Sequence, residues 1–405
     1  MKIAFIVGQF PALSQTFILN QITGLIDRGH EVDIYTNLPG NDPKIHADVE
    51  RYNLLNRTFY LKMPANKFLR LLKGMYLIIT NFHKKPMALL KSLNIFKFSG
   101  KSLRILYVIV PFLNKGPYDV VHCHFGPNGN TGVFLREVGI FKGKVITTFY
   151  GYDISRHIRE QGEDAYEYLF SKGDLFLALS DRMKEELIRL GCNKQKIVVH
   201  RLGVDIKKFN FSSRKLKNNG KANLLTIARL VEKKGVQYSV KAVAEVLKKY
   251  RNIEYKIVGD GPLKRDLAGL ISELNISDNV QLIGWRRQEE IIELLKDTDI
   301  LLAPSVTAQD GDQEGTPTVL IEALAQGIPV ISTYHSGIPE LVQDGISGFL
   351  VPERDTNALA EKIIYLLEHQ EIWAEMGHAG HDHVEKNYNI ERLNDQLVEL
   401  YQMLP

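Results

Sequence analysis

Two glutamates eight residues apart, Glu314 and Glu322, enclose the run EGTPTVLIE, and two cations, Arg229 and Lys234, lie in ARLVEKKG at residues 228–235. The first run reads as a loop that becomes a helix: Thr316 suits an N-cap, Pro317 the first helical position, and Glu322 falls inside the helix. Amides left over at such a start, those of Thr316, Thr318 and Val319, form a seat for an anion. Arg229 ends a strand-like run, and Lys234 lies in the short loop before the next helix. A guanidinium grips phosphate oxygens as a fork and an ammonium acts as a point charge, so the pair suits a diphosphate. Taken singly, the same residues make a capped helix with a solvated Glu at each end and two solvated loop cations.

What decides between these readings is the set of elements that carry the residues. Short Val- and Ile-rich runs alternate with longer amphipathic stretches along the chain. In the first half they are residues 2–8, 31–36, 119–125, 144–150, 175–180 and 196–203; in the second, 222–229, 254–261, 280–285, 299–305, 329–334 and 348–352. Such runs read as strands buried on both faces of parallel sheets. The intervening stretches read as helices, among them 15–29 with Ser14 as N-cap, 236–250, and Pro317 to Gln326. The pattern predicts an α/β protein of two doubly wound, Rossmann-like domains. The polar run KKFNFSSRKLKNNGKA marks the seam, giving a first domain over 1–206, a linker over 207–221, a second domain over 222–385, and a terminal helix over 386–405 able to cross back to the first domain. Ligands bind at the carboxyl ends of such sheets, so the cleft between the domains is the expected site.

At this point the chain resembles glycosyltransferase family 4, of the two-Rossmann-domain architecture called GT-B, over essentially its whole length. The resemblance rests on Arg229 and Lys234, GDGP at 259–262, IGW at 283–285, the Glu314/Glu322 pair and GIPELVQDGISGFLVP at 337–352. FPALSQTFILNQ (10–21) and PSVTAQDGDQEGTP (304–317) are similar to the bacterial exopolysaccharide branch that makes colanic acid and amylovoran. The resemblance implies that Arg229 and Lys234 neutralise the diphosphate of a UDP- or GDP-linked sugar and that Glu322 binds the ribose hydroxyls. It places Glu314 at the transferred sugar and the backbone of Gly315, Thr316, Pro317 and Thr318 at sugar and phosphate. It places the turn Gly259–Gly261 and the backbone at Trp285 at ribose and base, with the opening loop from Gly8 closing over the donor. It implies retention of anomeric configuration and no metal or other cofactor. Fixed cations and helix-end amides answer the charge that develops on the leaving diphosphate. A carboxylate by the sugar orients it or stabilises the oxocarbenium ion. A nucleophile and acid pair is not favoured, because Glu322 is needed at the ribose.

One departure stands out. The family has Thr-Phe-His-Gly-x-Asp where this chain has TFYGYD, so Tyr150 replaces the histidine expected beside the sugar, while Asp153 is kept. A tyrosine donates a hydrogen bond but is not a cation near neutral pH. Tyr150, Asp153 and, by resemblance, His124 are expected on the sugar or acceptor side. His122 and His124 share a strand face without a third ligand at a suitable spacing, and His378, His381 and His383 read as solvated helix residues. DGDQEG at 310–315 begins like a calcium loop but has Ile321 where the closing Glu is required. Gly8 to Ser14 lacks a full dinucleotide fingerprint, so a nicotinamide dehydrogenase is a weak alternative. A nucleotide-sugar 2-epimerase or a non-catalytic sugar-nucleotide-binding subunit on the same scaffold are the stronger ones.

Two cysteines, Cys123 and Cys192, exclude a disulfide scaffold and a four-cysteine zinc module. The longest apolar run, residues 105–113, is too short to cross a membrane, and the opening residues read as a strand rather than a leader, so a cytoplasmic protein is expected. The net charge of +4 conceals an asymmetry: residues 51–118 hold 13 Lys or Arg and no Asp or Glu, while the rest of the chain holds 38 basic and 47 acidic groups. Aromatic residues are interleaved with the lysines, and NKFLRLLKGMYLIIT reads as an amphipathic helix. Such a segment suits an anionic membrane surface, and the family resemblance makes a lipid diphosphate-linked saccharide the expected acceptor. Nucleic acid is not an expected partner, since the remainder is acidic and no binding motif appears.

Overall fold

The computed structural model describes residues 1–12, 15–40, 45–92, 104–113, 115–215 and 220–404. The first sheet contains β1 (Lys2–Phe10), β2 (Glu31–Pro39), β3 (Thr58–Tyr60), β4 (Val120–His124), β5 (Lys144–Thr148), β6 (Leu175–Ala178) and β7 (Ile197–Val199). The second contains β8 (Ala222–Ile227), β9 (Ile253–Val258), β10 (Val280–Gly284), β11 (Ile300–Ala303), β12 (Val330–Thr333) and β13 (Gly348–Val351). Their orders are β3-β2-β1-β4-β5-β6-β7 and β10-β9-β8-β11-β12-β13, and the paired strands of both are parallel. Central strands such as β4, β11 and β12 are buried throughout, which is why they read as unbroken apolar runs. Strand order reverses at β1/β4 in one sheet and β8/β11 in the other, and these reversals open the crevices in which ligands of such folds sit.

The expected count of six strands in the first half is corrected to seven. β3 is an edge strand of three residues, pairing Thr58 with Ile34 and Tyr60 with Thr36, too short to show any periodicity. β1 runs on through Gly8 to Phe10, so Gly8 belongs to the strand and not to a loop. Ser14 lies outside the described residues; the helix Thr16–Asp27 has Gln15 at its N-cap position, with no side chain capping it.

Two side chains of the linker pack into the fold, while most of its other described residues are exposed. Phe209 is buried, and Arg214 donates to the Lys296 carbonyl at 2.5 Å and to the Gln326 side chain at 3.2 Å. Phe211 lies against His378 and His381 of the helix Trp373–Tyr388, and His381 is bonded to the Ala325 carbonyl at 2.7 Å. His381 is therefore partly packed, where solvation was expected, while His378 remains exposed. After Asn389, which bridges to Val204, the helix Ile390–Gln402 lies on Thr16–Asp27. Arg28 ties the two helices by Asp395 at 2.7 Å and Glu391 at 3.0 Å, while Leu397 and Tyr401 enter the core of the first domain.

The two domains also meet around the cleft. The Glu340 carboxylate accepts from the Asp181 and Arg182 amides, at 2.9 and 3.0 Å, at the start of the helix Asp181–Arg189. A helix N-terminus favours an anion there. Arg156 pairs with Asp310 at 2.8 Å, Arg159 donates to the Gln309 carbonyl at 2.8 Å, and the Gln313 amide donates to Ser155 Oγ at 3.2 Å.

Candidate active site

A cleft of about 330 Å³ lies between the sheets. Its second-domain wall is built from the turns after β8, β10 and β11. Arg229 follows β8, is exposed, lines the cleft, and makes no ion pair among the described residues. Lys233 and Lys234 lie in the single 3-10 turn Glu232–Lys234. Gly235 closes that turn at φ +62, and a Cβ there would stand 1.9 Å from the Pro304 carbonyl oxygen, so the turn can lie against the end of β11 only with glycine at this position.

Lys234 Nζ donates to Glu314 Oε2 at 2.7 Å, while Lys233 Nζ stands 3.5 Å from Oε1 and pairs with Asp312 at 3.0 Å. Glu314 is buried. Burial alone pushes its pKa up, but Lys234 and Lys233 outweigh burial and hold it at about 2. Its amide donates to His335 Nε2 at 3.0 Å, and His335 Nδ1 is bonded to Glu353 Oε1 at 2.6 Å, which fixes the loop from behind.

The helix that follows spans Thr318–Ala325 with Pro317 as its N-cap, one residue later than the expected start, and no side chain caps it. Thr316 is thus loop rather than cap. Gly315, Thr316, Pro317, Thr318 and Val319 all line the cleft, and the uncapped first turn supplies amide donors beside Arg229 and Lys234. Glu322 lies one turn in from Thr318, also lining the cleft; desolvation pushes its carboxyl up to about 7, with Gln288 hydrogen bonding opposing the rise. Trp285 is 47% exposed at the rim.

Several expected residues act at one remove. Gly259 and Gly261 do not line the cleft. Their φ values are +133 and +156, and a Cβ would strike the Ala228 carbonyl oxygen at 1.8 Å or the Leu230 carbonyl oxygen at 2.5 Å, so they let this turn seat the backbone on either side of Arg229. Gly8 does not line the cleft either; Gln15, Thr16 and Phe17 reach it from that part of the first domain. Asp153 is fully buried, and its two oxygens accept from the Gly126 amide at 2.9 Å and the Tyr150 amide at 2.7 Å. It ties the loop after β4 to the turn after β5 and lies behind the cleft wall rather than facing a sugar hydroxyl. Burial pushes its pKa up to about 7, against those two amides and the charge of Lys233.

Tyr150 lines the cleft, but its hydroxyl is turned inward to His124 Nδ1 at 2.7 Å. His124 is itself fully buried, with its pKa lowered by desolvation to about 3, so it is a neutral support beneath Tyr150 and not a cleft residue. His122 alongside bonds Tyr401 of the terminal helix at 2.6 Å and Thr148 at 2.7 Å. Among the described residues no three His, Cys, Asp or Glu side chains gather as a metal set.

Sequence reasoning missed Phe17, Tyr152, Lys233 and Gln288 in the cleft, and His335 and Glu353 behind it, whereas Phe125, which the resemblance put with His124 in a cleft loop, does line the cleft. Lys233 adjoins Lys234 in the same Lys-Lys-Gly run, and Phe17 lies inside the opening motif; nothing local distinguished the others.

Models of two protein families match the chain: glycosyltransferase family 4 over residues 14–208 and glycosyl transferases group 1 over residues 207–383. The chain is 38% identical over 411 residues to WcaL of Escherichia coli strain K12, named for colanic acid biosynthesis, covering all of both chains. It is 38% identical over 410 residues to the amylovoran biosynthesis glycosyltransferase AmsK of Erwinia amylovora, again with 100% of each covered. Among solved structures, HepE of Anabaena in complex with UDP and glucose superposes over all of both chains with a TM-score of 0.73 at 17% identity.

Proposed function

The chain belongs to the family 4 glycosyltransferases of the GT-B type, and on that premise we propose that it transfers a hexose from a UDP- or GDP-linked sugar, with retention, to a lipid diphosphate-linked saccharide in exopolysaccharide synthesis. The observation that carries the reading is one cleft in which Arg229, the Lys234–Glu314 pair, an uncapped helix start and Glu322 stand within one wall. The relatives named for colanic acid and amylovoran synthesis support the polysaccharide context.

In this reading the donor diphosphate lies against Arg229, Lys234 and the amides of Thr318 and Val319, and the ribose hydroxyls donate to Glu322. The bond from the sugar C1 to the diphosphate oxygen breaks with its electron pair leaving on the diphosphate, where the fixed cations and amides stabilise the new charge. The acceptor hydroxyl oxygen bonds C1 on the face the diphosphate left, and its proton passes to the departing phosphate oxygen. Glu314, ionised at any working pH, stands by the sugar and stabilises positive charge on its ring. Thermal shift with a panel of nucleotide sugars tests the donor: the matching one raises stability by about 2.7 kcal/mol at a hundredfold excess over its Kd, and no shift with any nucleotide sugar contradicts the reading.

Glu322 makes donor binding pH-dependent. A protonated carboxyl has one acceptor oxygen fewer for the ribose diol, so affinity for the intact sugar nucleotide, whose doubly esterified diphosphate does not titrate there, should rise as pH increases through about 7. The raised folded-state pKa has the opposite effect on the unliganded protein: Glu322 binds its proton more tightly when folded, so its contribution to stability falls between about pH 4.5 and 7. Calorimetry from pH 6 to 8 should show the rise for wild type and a flat profile for Glu322→Gln.

The acceptor reading places the protein at the cytoplasmic face of a membrane. The helix Lys67–Asn81 with Phe82 beyond it exposes Phe68, Leu72, Met75, Tyr76, Ile79 and Phe82 along one face, with Ile79 at 76% and Phe68 at 66% exposure. That apolar stripe sits within the acid-free basic segment, which suits anionic lipid. Lys85 serves a different purpose, donating to the Gly139 and Ile140 carbonyls at 2.9 and 2.6 Å, and Lys97, Lys101, Phe96 and Phe98 lie outside the described residues. The informative variant therefore reverses Lys67, Lys84 and Lys91 to Glu. At about 1 kcal/mol per basic residue near the surface, this should weaken binding to vesicles containing phosphatidylserine at least about a hundredfold at low salt. Donor-nucleotide affinity should be unchanged. Absence of wild-type sedimentation with such vesicles contradicts the membrane reading. Among the described residues no helix is long and apolar enough to cross a membrane.

A further inference from the structure

The wall of the cleft facing the cations is aromatic. Phe17, Phe125 and Tyr150 line it as neighbours, with ring centroids 4.9 Å apart for Phe17 and Tyr150 and 4.4 Å apart for Phe125 and Tyr150. The Tyr150 hydroxyl is committed to His124, and the residue is only 5% exposed, so its ring backs Phe17 and Phe125 rather than opening its own face to the cleft. Tyr152 extends the wall at 37% exposure.

Phe125 stands out in its backbone. Its φ is +72 and its ψ 140, a conformation that glycine adopts freely and a residue with a Cβ reaches only under strain. Such strain persists only where the surroundings over-determine it, and it concentrates at functional sites. The surroundings here do so. The Phe125 amide donates to the Thr148 carbonyl at 2.9 Å, the Asn128 side chain donates to the His124 carbonyl at 2.7 Å, and Asp153 grips the Gly126 and Tyr150 amides together. Gly126 is seated so closely that a Cβ would lie 2.4 Å from the Tyr166 ring. A buried carboxylate, a buried asparagine and a close-packed glycine thus hold one aromatic side chain beside another at the cleft surface, where a glycine would relieve the strain.

We propose that Phe17 and Phe125, backed by the buried ring of Tyr150, form a stacking platform for the C–H-bearing face of an acceptor pyranose ring. This rests on the donor reading, since the cation wall must hold the leaving diphosphate for the platform to face the reacting carbon. A pyranose presents an apolar face of axial C–H bonds and a rim of hydroxyls. A wall of uncharged aromatic rings suits the first, while the polar side chains of Gln15 and Thr16, which also line the cleft, suit the second. A diphosphate has no such face and belongs to the opposite wall.

The test is saturation-transfer NMR on the full chain with methyl α-glucopyranoside and methyl α-galactopyranoside as probes, together with calorimetric titration of UDP and GDP. Wild type should saturate the ring protons of one face of at least one pyranoside, and Phe125→Ala and Phe17→Ala should lose most of that signal. Nucleotide affinity should stay within twofold in both. Phe125→Gly, which accepts the observed backbone without strain, guards against a folding defect: it should melt no lower than Phe125→Ala and lose the pyranoside signal equally. Equal saturation in wild type and Phe125→Gly, no saturation by wild type, or a tenfold loss of nucleotide affinity in Phe125→Gly each overturns the platform, the last by making it a base-stacking wall. Failure of wild type to bind either nucleotide sinks the donor reading instead, and the pyranoside comparison still decides the platform.

Discussion

Lys234→Ala should lower donor turnover, read as nucleoside diphosphate release, by about 10²–10³-fold in kcat, the usual cost of removing one preorganised group from a developing negative charge. The effect belongs in kcat because the charge on the diphosphate grows as the C1–oxygen bond breaks. From the sequence, a loop cation should matter little for folding. The structure corrects that expectation, because Lys234 is the nearer partner of buried Glu314. Lys233 remains 3.5 Å from the same carboxylate, so the variant does not strand a bare buried charge, and a loss of about 1–3 kcal/mol is expected. A carboxyl held at about 2 contributes stability that is present above its ordinary value of 4.5 and is lost as pH falls through about 2. Removing Lys234 raises that folded-state pKa, so the stability gap between variant and wild type should be full at pH 7, narrow in acid, and close as pH falls through about 2. Urea unfolding at pH 7 and pH 3 measures it. Wild-type kcat in Lys234→Ala removes the lysine from the reaction.

Glu322→Ala should weaken binding of a bare nucleoside diphosphate by about 10- to 150-fold, corresponding to about 1.5–3 kcal/mol for hydrogen bonds made to a charged group. The site wall is otherwise intact in this variant, since Glu322 takes no part in the Lys234–Glu314 pairing. Glu322 is desolvated and pushed up to about 7 in the unliganded protein, with Gln288 as a hydrogen-bond partner, and in the proposed reading ribose hydroxyls would add donors to this carboxylate. The kcat at saturating donor should change far less than the nucleotide Kd, the reverse of Lys234→Ala. Equal nucleotide affinity in wild type and Glu322→Ala contradicts the ribose assignment.

Much of this site was legible because its residues lie at the ends of strands that themselves read clearly. β8 and β11 are apolar runs that stop at Arg229 and just before the Glu314 loop, and doubly wound sheets put such ends at the ligand. β3 was not legible, since three residues at a sheet edge carry no alternation and its neighbourhood is dominated by lysine. The start of the helix at Thr318 was misjudged because Thr-Pro imitates a cap and first turn, whereas Pro317 itself takes the extended N-cap conformation. Asp153 and His124 were placed at the sugar because the motif that carries them ends at the cleft. Their partners, the Gly126 amide and the Tyr150 hydroxyl, follow from the pairing of β4 with β5, whose register places residues 24 apart in the chain side by side and so brings the loops just beyond both strands together. The strain at Phe125 and the pairing of Lys233 with Asp312 are likewise properties of the folded chain, 79 residues separating the latter pair.

The most direct measurement of the central claim is transfer by the purified full-length chain from UDP- and GDP-linked hexoses to a lipid diphosphate-linked saccharide, with the anomeric configuration of the new bond read by NMR. The account predicts a lipid-linked product lengthened by one hexose whose anomeric configuration matches that of the donor. A donor that is bound but never transferred, one converted to a free epimerised sugar, or a product of inverted configuration contradicts it.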